Sequence, residues 1–306
     1  MVRLDAVTLK QLRALAAVAE TASLTQAAGR LGLTPSAIHS QIKNLETATG
    51  RPLFERGAGQ AGLRLTPEGE ALRQAAARVE VVLSHAAAEV QARAEGREGV
   101  VTLGVVSTAK YFAPRLVRLL KDRCPGIDVR LQVGNRGSVI AALDRQALDL
   151  AIMGRPPREP EVDAVALGAH PHGIVAPPDH RLVGRPVSAA ELLGETFISR
   201  EQGSGTRILM TRYLDRIGEG QVVAQIEMDS NETIKQAVIA GLGIAFLSLH
   251  TVMDELKAGR LALVAAPGLP IERHWFLVHP RAVPLSPAAE RLQAEIVALG
   301  GTYLPH

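Results

Sequence analysis

Residues 23–45, SLTQAAGRLGLTPSAIHSQIKNL, decide how the N-terminal part of this chain folds. Leu24, Ala27, Ala28 and Leu31 recur at helical spacing and predict a short helix with Ser23 as its N-cap. The two alanines let a second helix approach closely; Gly32 then breaks the period, and Leu33 is expected to anchor the turn. Thr34 stands as the next N-cap with Pro35 at the first helical position, where proline's missing N–H costs nothing. On this helix Ile38, Ile42 and Leu45 stack on one face, while Ser36, His39, Ser40 and Lys43 lie on the opposite side. Upstream, Leu12, Leu15, Ala16 and Ala19 line one face of an earlier helix. Two helices joined by a glycine turn, the second with a polar face, make a helix-turn-helix whose second helix enters the major groove of duplex DNA. A solvated helix of an ordinary three-helix bundle would carry both signs of charge on that face, and here no acid appears before Glu46.

Charge placement agrees. The whole chain carries +3, but residues 1–66 hold eight Lys/Arg against four Asp/Glu, so +4 sits there and −1 on the remainder. A basic N-terminal piece on a near-neutral body suits a polyanionic partner. Pro52 to Thr66 can form a two-stranded wing that brings Arg56 and Arg64 near the DNA backbone. The candidate DNA-contacting set read from the residues is therefore Ser36, His39, Ser40 and Lys43, on the helix that Thr34 and Pro35 open, with Arg56 and Arg64. One aromatic, Phe54, is too few for single-strand binding by base stacking, which favours duplex DNA. The start lacks a signal-peptide pattern and no apolar run reaches membrane-spanning length, so no membrane partner and a cytoplasmic location are expected. A lone Cys124, read as a small buried hydrophobe in a loop, fits a reducing compartment.

At 306 residues the chain needs more than one core. Residues 67–95 read as one helix of roughly 40 Å, with Leu72, Ala75, Ala76, Val79, Val82, Leu83, Ala86 and Val90 as an apolar stripe. Such a stripe packs on its own core or on the same helix of a second copy; a rod leaving a small domain has little core to cover, which favours a two-fold dimer. From residue 96 onward strands alternate with helices. VVTLGVV, IDVRLQV and LDLAIM predict a βαβαβ unit with a parallel sheet. A second lobe follows, containing GIVA, TFI, VVAQIEM and GIAFLSL, and WFLVH with a helix over 287–299 returns to the first. The expected fold class is α/β with an all-α N-terminal part: a winged helix-turn-helix (1–66), a dimerisation helix (67–95) and a two-lobed, periplasmic-binding-protein-like effector domain (96–306). Its first lobe spans about 98–163 and 275–306, its second about 164–274.

Ligands of open α/β sheets bind beyond the carboxyl ends of strands. Those ends deliver Ser107, Thr108 and Lys110, then Asn135 and Arg136, then Arg155; the second lobe offers Ser204, Gly205, Thr206 and Arg207 at one helix start and Ser230 and Asn231 at another. Helix-start N–H groups, small hydroxyls and arginines suit a phosphate or carboxylate. Each Ser or Asn is also an ordinary helix cap, so the cluster carries more weight than any member. No enzyme chemistry and no metal are expected: GSGT lacks the lysine of a P-loop, Gly241-Leu242-Gly243 leaves a helix rather than entering one, and His170 and His172 read as loop histidines without an acidic or thiol partner.

Residues 9–56, LKQLRALAAVAETASLTQAAGRLGLTPSAIHSQIKNLETATGRPLFER, resemble the winged helix-turn-helix of LysR-type transcriptional regulators, and the likeness runs through nearly the whole chain. Within that family VVSTAKYFAPRL (105–116), LQVGNR (131–136), LAIMGRPP (150–157), GSGTR (203–207) and SNETIKQAVIAGLGIAFLSLH (230–250) are similar to regulators of Calvin-cycle operons. The resemblance implies a pseudo-palindromic double-stranded operator, assembly as a dimer of dimers, contact with RNA polymerase, and control of carbon fixation. It implies no cofactor but a small effector such as ribulose bisphosphate, phosphoenolpyruvate or NADPH, and it places Thr34, Ser36, Ala37 and Lys43 at DNA-contacting positions. This chain departs from the pattern at Thr34-Pro35-Ser36-Ala37, where Thr-Gln-Pro-Ala is common, and at His39, commonly serine. The wing is about two residues longer, with Gly59 and Gln60 where a basic tip is frequent. The alternative within the family is a LysR-type regulator of another metabolic operon, and three more distant readings stand beside it: a solute-binding transport component, opposed by the missing export signal and the helix-turn-helix; an enzyme on the two-lobed scaffold, which lacks a visible acid/base pair; and a DNA-compacting protein, opposed by the large near-neutral body.

Overall fold

The structure, a computed structural model, describes residues 3–56, 62–95 and 97–305, the side chains of Leu4 and Arg56 excepted. The chain divides into two compact units, Met1–Ala87 and Ala88–His306, so the border falls inside the long helix.

The N-terminal unit holds α1 (Leu9–Thr21), α2 (Leu24–Leu31), α3 (Pro35–Thr49), β1 (Phe54–Arg56), β2 (Leu63–Leu65) and the first turns of α4 (Pro67–Ala94). Thr8, Ser23 and Thr34 cap the first three helices, each side chain accepting a first-turn N–H. Gly32 ends α2 at φ 64, a left-handed position that glycine adopts without steric cost. Leu33 does not anchor this turn with its side chain, which is 47% exposed. Its backbone N–H closes the turn instead, donating to the Ala28 carbonyl at 3.0 Å. Leu12, Leu15 and Val18 of α1, Ala27 and Ala28 of α2, and Ile38, Ile42 and Leu45 of α3 form one core with Leu53 and Ala76. β1 and β2 pair antiparallel as a wing, Phe54 opposite Leu65. The tip with Gly59 and Gln60 lies outside the described residues.

Gly69, in the first turn of α4, is packed so tightly under the wing that a Cβ there would come within 2.1 Å of the Leu53 carbonyl oxygen. Gly69→Ala is therefore expected to destabilise this unit by about 1–3 kcal/mol, seen as an earlier thermal transition. An unchanged transition would mean that the wing can move aside freely. Farther along α4 the apolar stripe emerges: Val79, Val82, Leu83 and Val90 are 40–70% exposed in the single chain.

The second unit contains β3 (Gly99–Val106), α5 (Ala113–Arg123), β4 (Ile127–Gly134), α6 (Arg136–Asp144), β5 (Leu150–Met153) and β6 (Val162–Ala176). Then come α7 (Ala189–Leu193), β7 (Phe197–Arg200), α8 (Gly205–Gly218), β8 (Gln225–Met228), α9 (Asn231–Ile239), β9 (Ala245–Ser248), α10 (Met253–Lys257), β10 (Ala262–Leu263), β11 (Ile271–Pro280) and α11 (Pro287–Ala298). The large sheet runs β10-β6-β11-β5-β3-β4, with β9 also paired to β6, and β7 pairs β8 separately. β3 is parallel to β4 and β5, as the βαβαβ reading requires, whereas β11 returns antiparallel between β5 and β6. One core gathers Phe112, Trp275 and Tyr303 with β3, β5 and α11; a second gathers Phe197, Tyr213 and Phe246. Leu167 of β6 belongs to the first core and Ile174 to the second. On β11, Trp275 joins the first and Ile271 packs against the second. The chain thus changes lobe within these two paired strands, and His170, His172 and Arg273 sit at the joint. Cys124 is buried at the end of α5, and burial pushes its thiol up. No helix among the described residues is long and apolar enough to cross a membrane.

Candidate effector pocket and DNA-facing helix

On the polar side of α3, the geometry follows from its cap. Thr34 Oγ1 accepts the Ala37 N–H at 3.2 Å and lies 3.0 Å from Ser36 Oγ, fixing the helix start. Thr34, Pro35, Ser36, His39, Ser40 and Lys43 are exposed and Ala37 is half-buried. Glu46, the first acid of the helix, is turned to structural use: its Oε1 accepts the Leu53 N–H at 2.8 Å. Arg13 and Arg30 are neutralised by Glu80 and Glu20. Lys43 and exposed Arg64 make no ion pair among the described residues, so their charge is available to phosphate. Arg56 stands opposite Leu63 in the wing, its side chain outside the described set.

In the second unit, a cavity of about 390 Å³ lies where the two lobes meet. Ser107 and Thr108 reach it after β3, Arg136 from the start of α6, Arg155 and Arg158 after β5, and Ser204, Gly205 and Thr206 from the start of α8. Arg212 of α8 and Arg273 of β11 complete five guanidinium groups, and no Asp or Glu lines the cavity. None of the five makes an ion pair among the described residues. Arg136 is anchored by the carbonyls of Arg155 and Pro156, yet burial, then Arg155 and Arg212, pull its pKa down. Unpaired cations crowded together in a half-buried cleft are an arrangement that an anion relieves. Ser204 caps α8 without a side-chain hydrogen bond, which leaves first-turn N–H groups and the helix's positive end to add to the field.

Five sequence candidates do not line the cavity, each for a local reason. Lys110 Nζ is held 2.6 Å from Glu232. Asn135 caps α6 through the Ser138 N–H at 2.9 Å and donates to Glu201 at 3.3 Å. Arg207 is taken by Glu227 and by the Arg200 carbonyl. Ser230 caps α9, accepting the Thr233 N–H at 3.1 Å. Asn231 is buried and accepts from Arg200 at 2.6 Å. Arg200 itself, missed in the sequence, also donates to Ser107 at 3.2 Å and so ties the second lobe to the first.

His170 and His172 are not loop histidines. Both lie on β6, buried, and both line the cavity together with Arg273, which stands opposite His170 in the sheet. Burial is the main cause that drives His172 down to about 4 and His170 well below its ordinary value, with neighbouring His250 and Arg273 acting the same way. A buried base with a depressed folded pKa takes up its proton more readily in the unfolded chain. Its stabilising contribution is complete above pH 6.5 and is lost as pH falls toward 4, by about 3 kcal/mol for His172. Thermal melts between pH 7.5 and 5 are expected to show a falling transition of this unit that His172→Phe flattens; parallel slopes in both proteins would contradict this.

The two units match known families in the same order. The model of the LysR-family bacterial regulatory helix-turn-helix protein matches residues 9–70, and that of the LysR substrate binding domain matches residues 94–299. The HTH-type transcriptional regulator CbbR of Cereibacter sphaeroides is 65% identical over 306 residues, covering 100% of this chain and 99% of that protein. The RuBisCO operon transcriptional regulator of Allochromatium vinosum is 41% identical, covering 92% and 93%. Among solved structures, the CcmR regulatory domain of Synechocystis PCC6803 in complex with 2-PG has 33% identity and a TM-score of 0.61, covering 66% of this chain and 98% of that one. With a winged helix-turn-helix, a two-lobed substrate-binding domain and full-length relatives of this kind, the chain belongs to the LysR family of DNA-binding transcriptional regulators.

Proposed function

We propose that this regulator reads an anionic metabolite, phosphorylated or carboxylate, in the cavity between its lobes and passes the signal to α3 on a pseudo-palindromic operator of carbon-fixation genes. The observation that carries the effector class is the ring of five unpaired guanidinium groups with no carboxylate among them. The relatives' names supply the operon class. Double-stranded DNA and further copies of the chain are its partners. RNA polymerase is the contact through which occupancy would alter transcription, in the cytoplasm where the DNA lies. No cofactor and no catalytic step enter this reading.

The panel to try is ribulose bisphosphate, phosphoenolpyruvate, NADPH and 2-PG, the last because it sits in the CcmR domain. A true effector at a hundred times its Kd adds about 2.7 kcal/mol to the folded state, a rise of several degrees in the melting of the full chain. No rise with any anion at millimolar concentration would remove the effector class. For assembly, α4 is the element to test. Val82→Asp with Val90→Asp places charge on its exposed stripe and is expected to shift light scattering to monomer and to weaken operator binding at the same concentration. An intact oligomer would show that the stripe is not the self-association surface.

A further inference from the structure

At the joint between the lobes one polar atom has no partner. His170 is stacked on Trp275 with ring centroids 3.6 Å apart, and its Nε2 lies 3.0 Å from Ser248 Oγ. Its Nδ1 is buried without a hydrogen bond. Native structures seldom leave such an atom unmet, since the cost is borne whenever no ligand answers it. Gly154, which lines the same cavity, lies beside Nδ1 with no side chain between: a Cβ there would press on the nitrogen at 2.8 Å.

The proton's place follows from Ser248. Its hydroxyl is fully buried and His170 is its one hydrogen-bond partner among the described residues. Were Nε2–H the donor, the serine proton would be sealed in the core with no acceptor and no ligand able to reach it. With Ser248 donating, the one unmet donor of the pair is Nδ1–H, in a side chain that lines the cavity. The groups around the ring, His172, His250 and Arg273, add no carboxylate that could compete for this donor.

We propose that His170 is a ligand-reading residue of this pocket, its Nδ1–H donated to a phosphate or carboxylate oxygen that reaches it past the bare backbone of Gly154 as the pocket adjusts to its ligand. The inference rests on the anion-effector reading above. It adds a directional contact to the arginine ring, one that selects where an acceptor oxygen lies and not merely how much charge the ligand carries. Trp275 and Ser248 are positioning residues: one fixes the ring plane and the other the tautomer.

The test is calorimetric titration of the full chain with 2-PG and with phosphoenolpyruvate, on wild type, His170→Phe, His170→Asn, Gly154→Ala and Arg136→Ala. His170→Phe keeps a ring against Trp275 but has no donor, and is expected to weaken binding about tenfold or more. His170→Asn restores an N–H near the place of Nδ1 and should recover most of that loss. Gly154→Ala keeps every arginine and the imidazole itself but crowds Nδ1, and should weaken binding to a similar degree; it carries the test if the histidine variants fail to fold. Wild-type affinity in both His170→Phe and Gly154→Ala, with Arg136→Ala weakened, overturns the role of His170 and leaves the anion reading standing. Loss in His170→Asn equal to that in His170→Phe shows that an N–H at the place of Nδ1 does not restore binding, and overturns it as well. Failure of the wild type to bind either probe sinks the anion reading and this inference together.

Discussion

Full-length protein carrying Lys43→Glu and His39→Glu is expected to bind its own upstream operator DNA at least about a hundredfold more weakly than wild type at fixed salt. Each groove or phosphate contact is worth on the order of 1–3 kcal/mol, and a dimer presents the altered face twice. Glutamate also adds repulsion where a cation stood. Both positions are exposed, so stability should change by no more than about 0.5 kcal/mol and a melt can certify the fold. Anisotropy titrations at several salt concentrations distinguish the two contributions. Loss of a phosphate contact by Lys43 lowers the salt slope, whereas loss of a base contact lowers the preference for operator over random duplex.

The second large effect belongs to the cavity. Arg136→Ala with Arg155→Ala should reduce affinity for an anionic effector at least about a hundredfold, since hydrogen bonds to charged groups are worth about 1.5–3 kcal/mol each. The unliganded protein should melt at the same temperature or higher, because Arg136 is half-buried and crowded by Arg155 and Arg212 with no acid to offset them. Ligand-induced stabilisation in a melting assay reads both effects at once. Equal stabilisation in the double variant would place the anion elsewhere, and a collapse of unliganded stability would make the arginines structural.

The N-terminal unit was legible because its information is local. Thr34, Pro35 and Gly32 punctuate the helices by backbone chemistry, and the apolar spacing of Ile38, Ile42 and Leu45 fixes which face turns outward. Two details were misread: the backbone rather than the Leu33 side chain closes that turn, and α1 buries Ala14, Ala17 and Val18 beside Leu12 and Leu15 while Ala16 and Ala19 stay half-exposed. The cavity was half legible. Ser107, Thr108, Arg136, Arg155, Ser204, Gly205 and Thr206 follow strands or open helices, where topology alone delivers side chains to a crevice. Lys110, Asn135 and Arg207 were lost to Glu232, Glu201 and Glu227, acids 66 to 122 residues away in two cases and 20 in the third, and no one-dimensional pattern announces such pairings. His170 and His172 did leave a signal, the strand period of two that puts both on one face. Pro171 between them hid it, because proline argues against a strand interior. Arg273 and Trp275 share the same period on β11, and only the pairing of β11 with β6 brings the two sets together.

A pocket at the joint of two lobes lets occupancy alter how the lobes meet, because Arg200 and Ser107, Lys110 and Glu232, and the Gly137 N–H with the Gly203 carbonyl all cross between them. An anion that binds one closure of these contacts better than another shifts the population toward it by its differential affinity and by no more. The most direct measurement is a nuclease footprint of the full chain on its upstream duplex, recorded without ligand and with a saturating anion that has already raised the melting temperature. The protected boundaries or the hypersensitive positions are expected to shift between the two states. Superimposable footprints at full occupancy would contradict the claim that the pocket governs the DNA contacts.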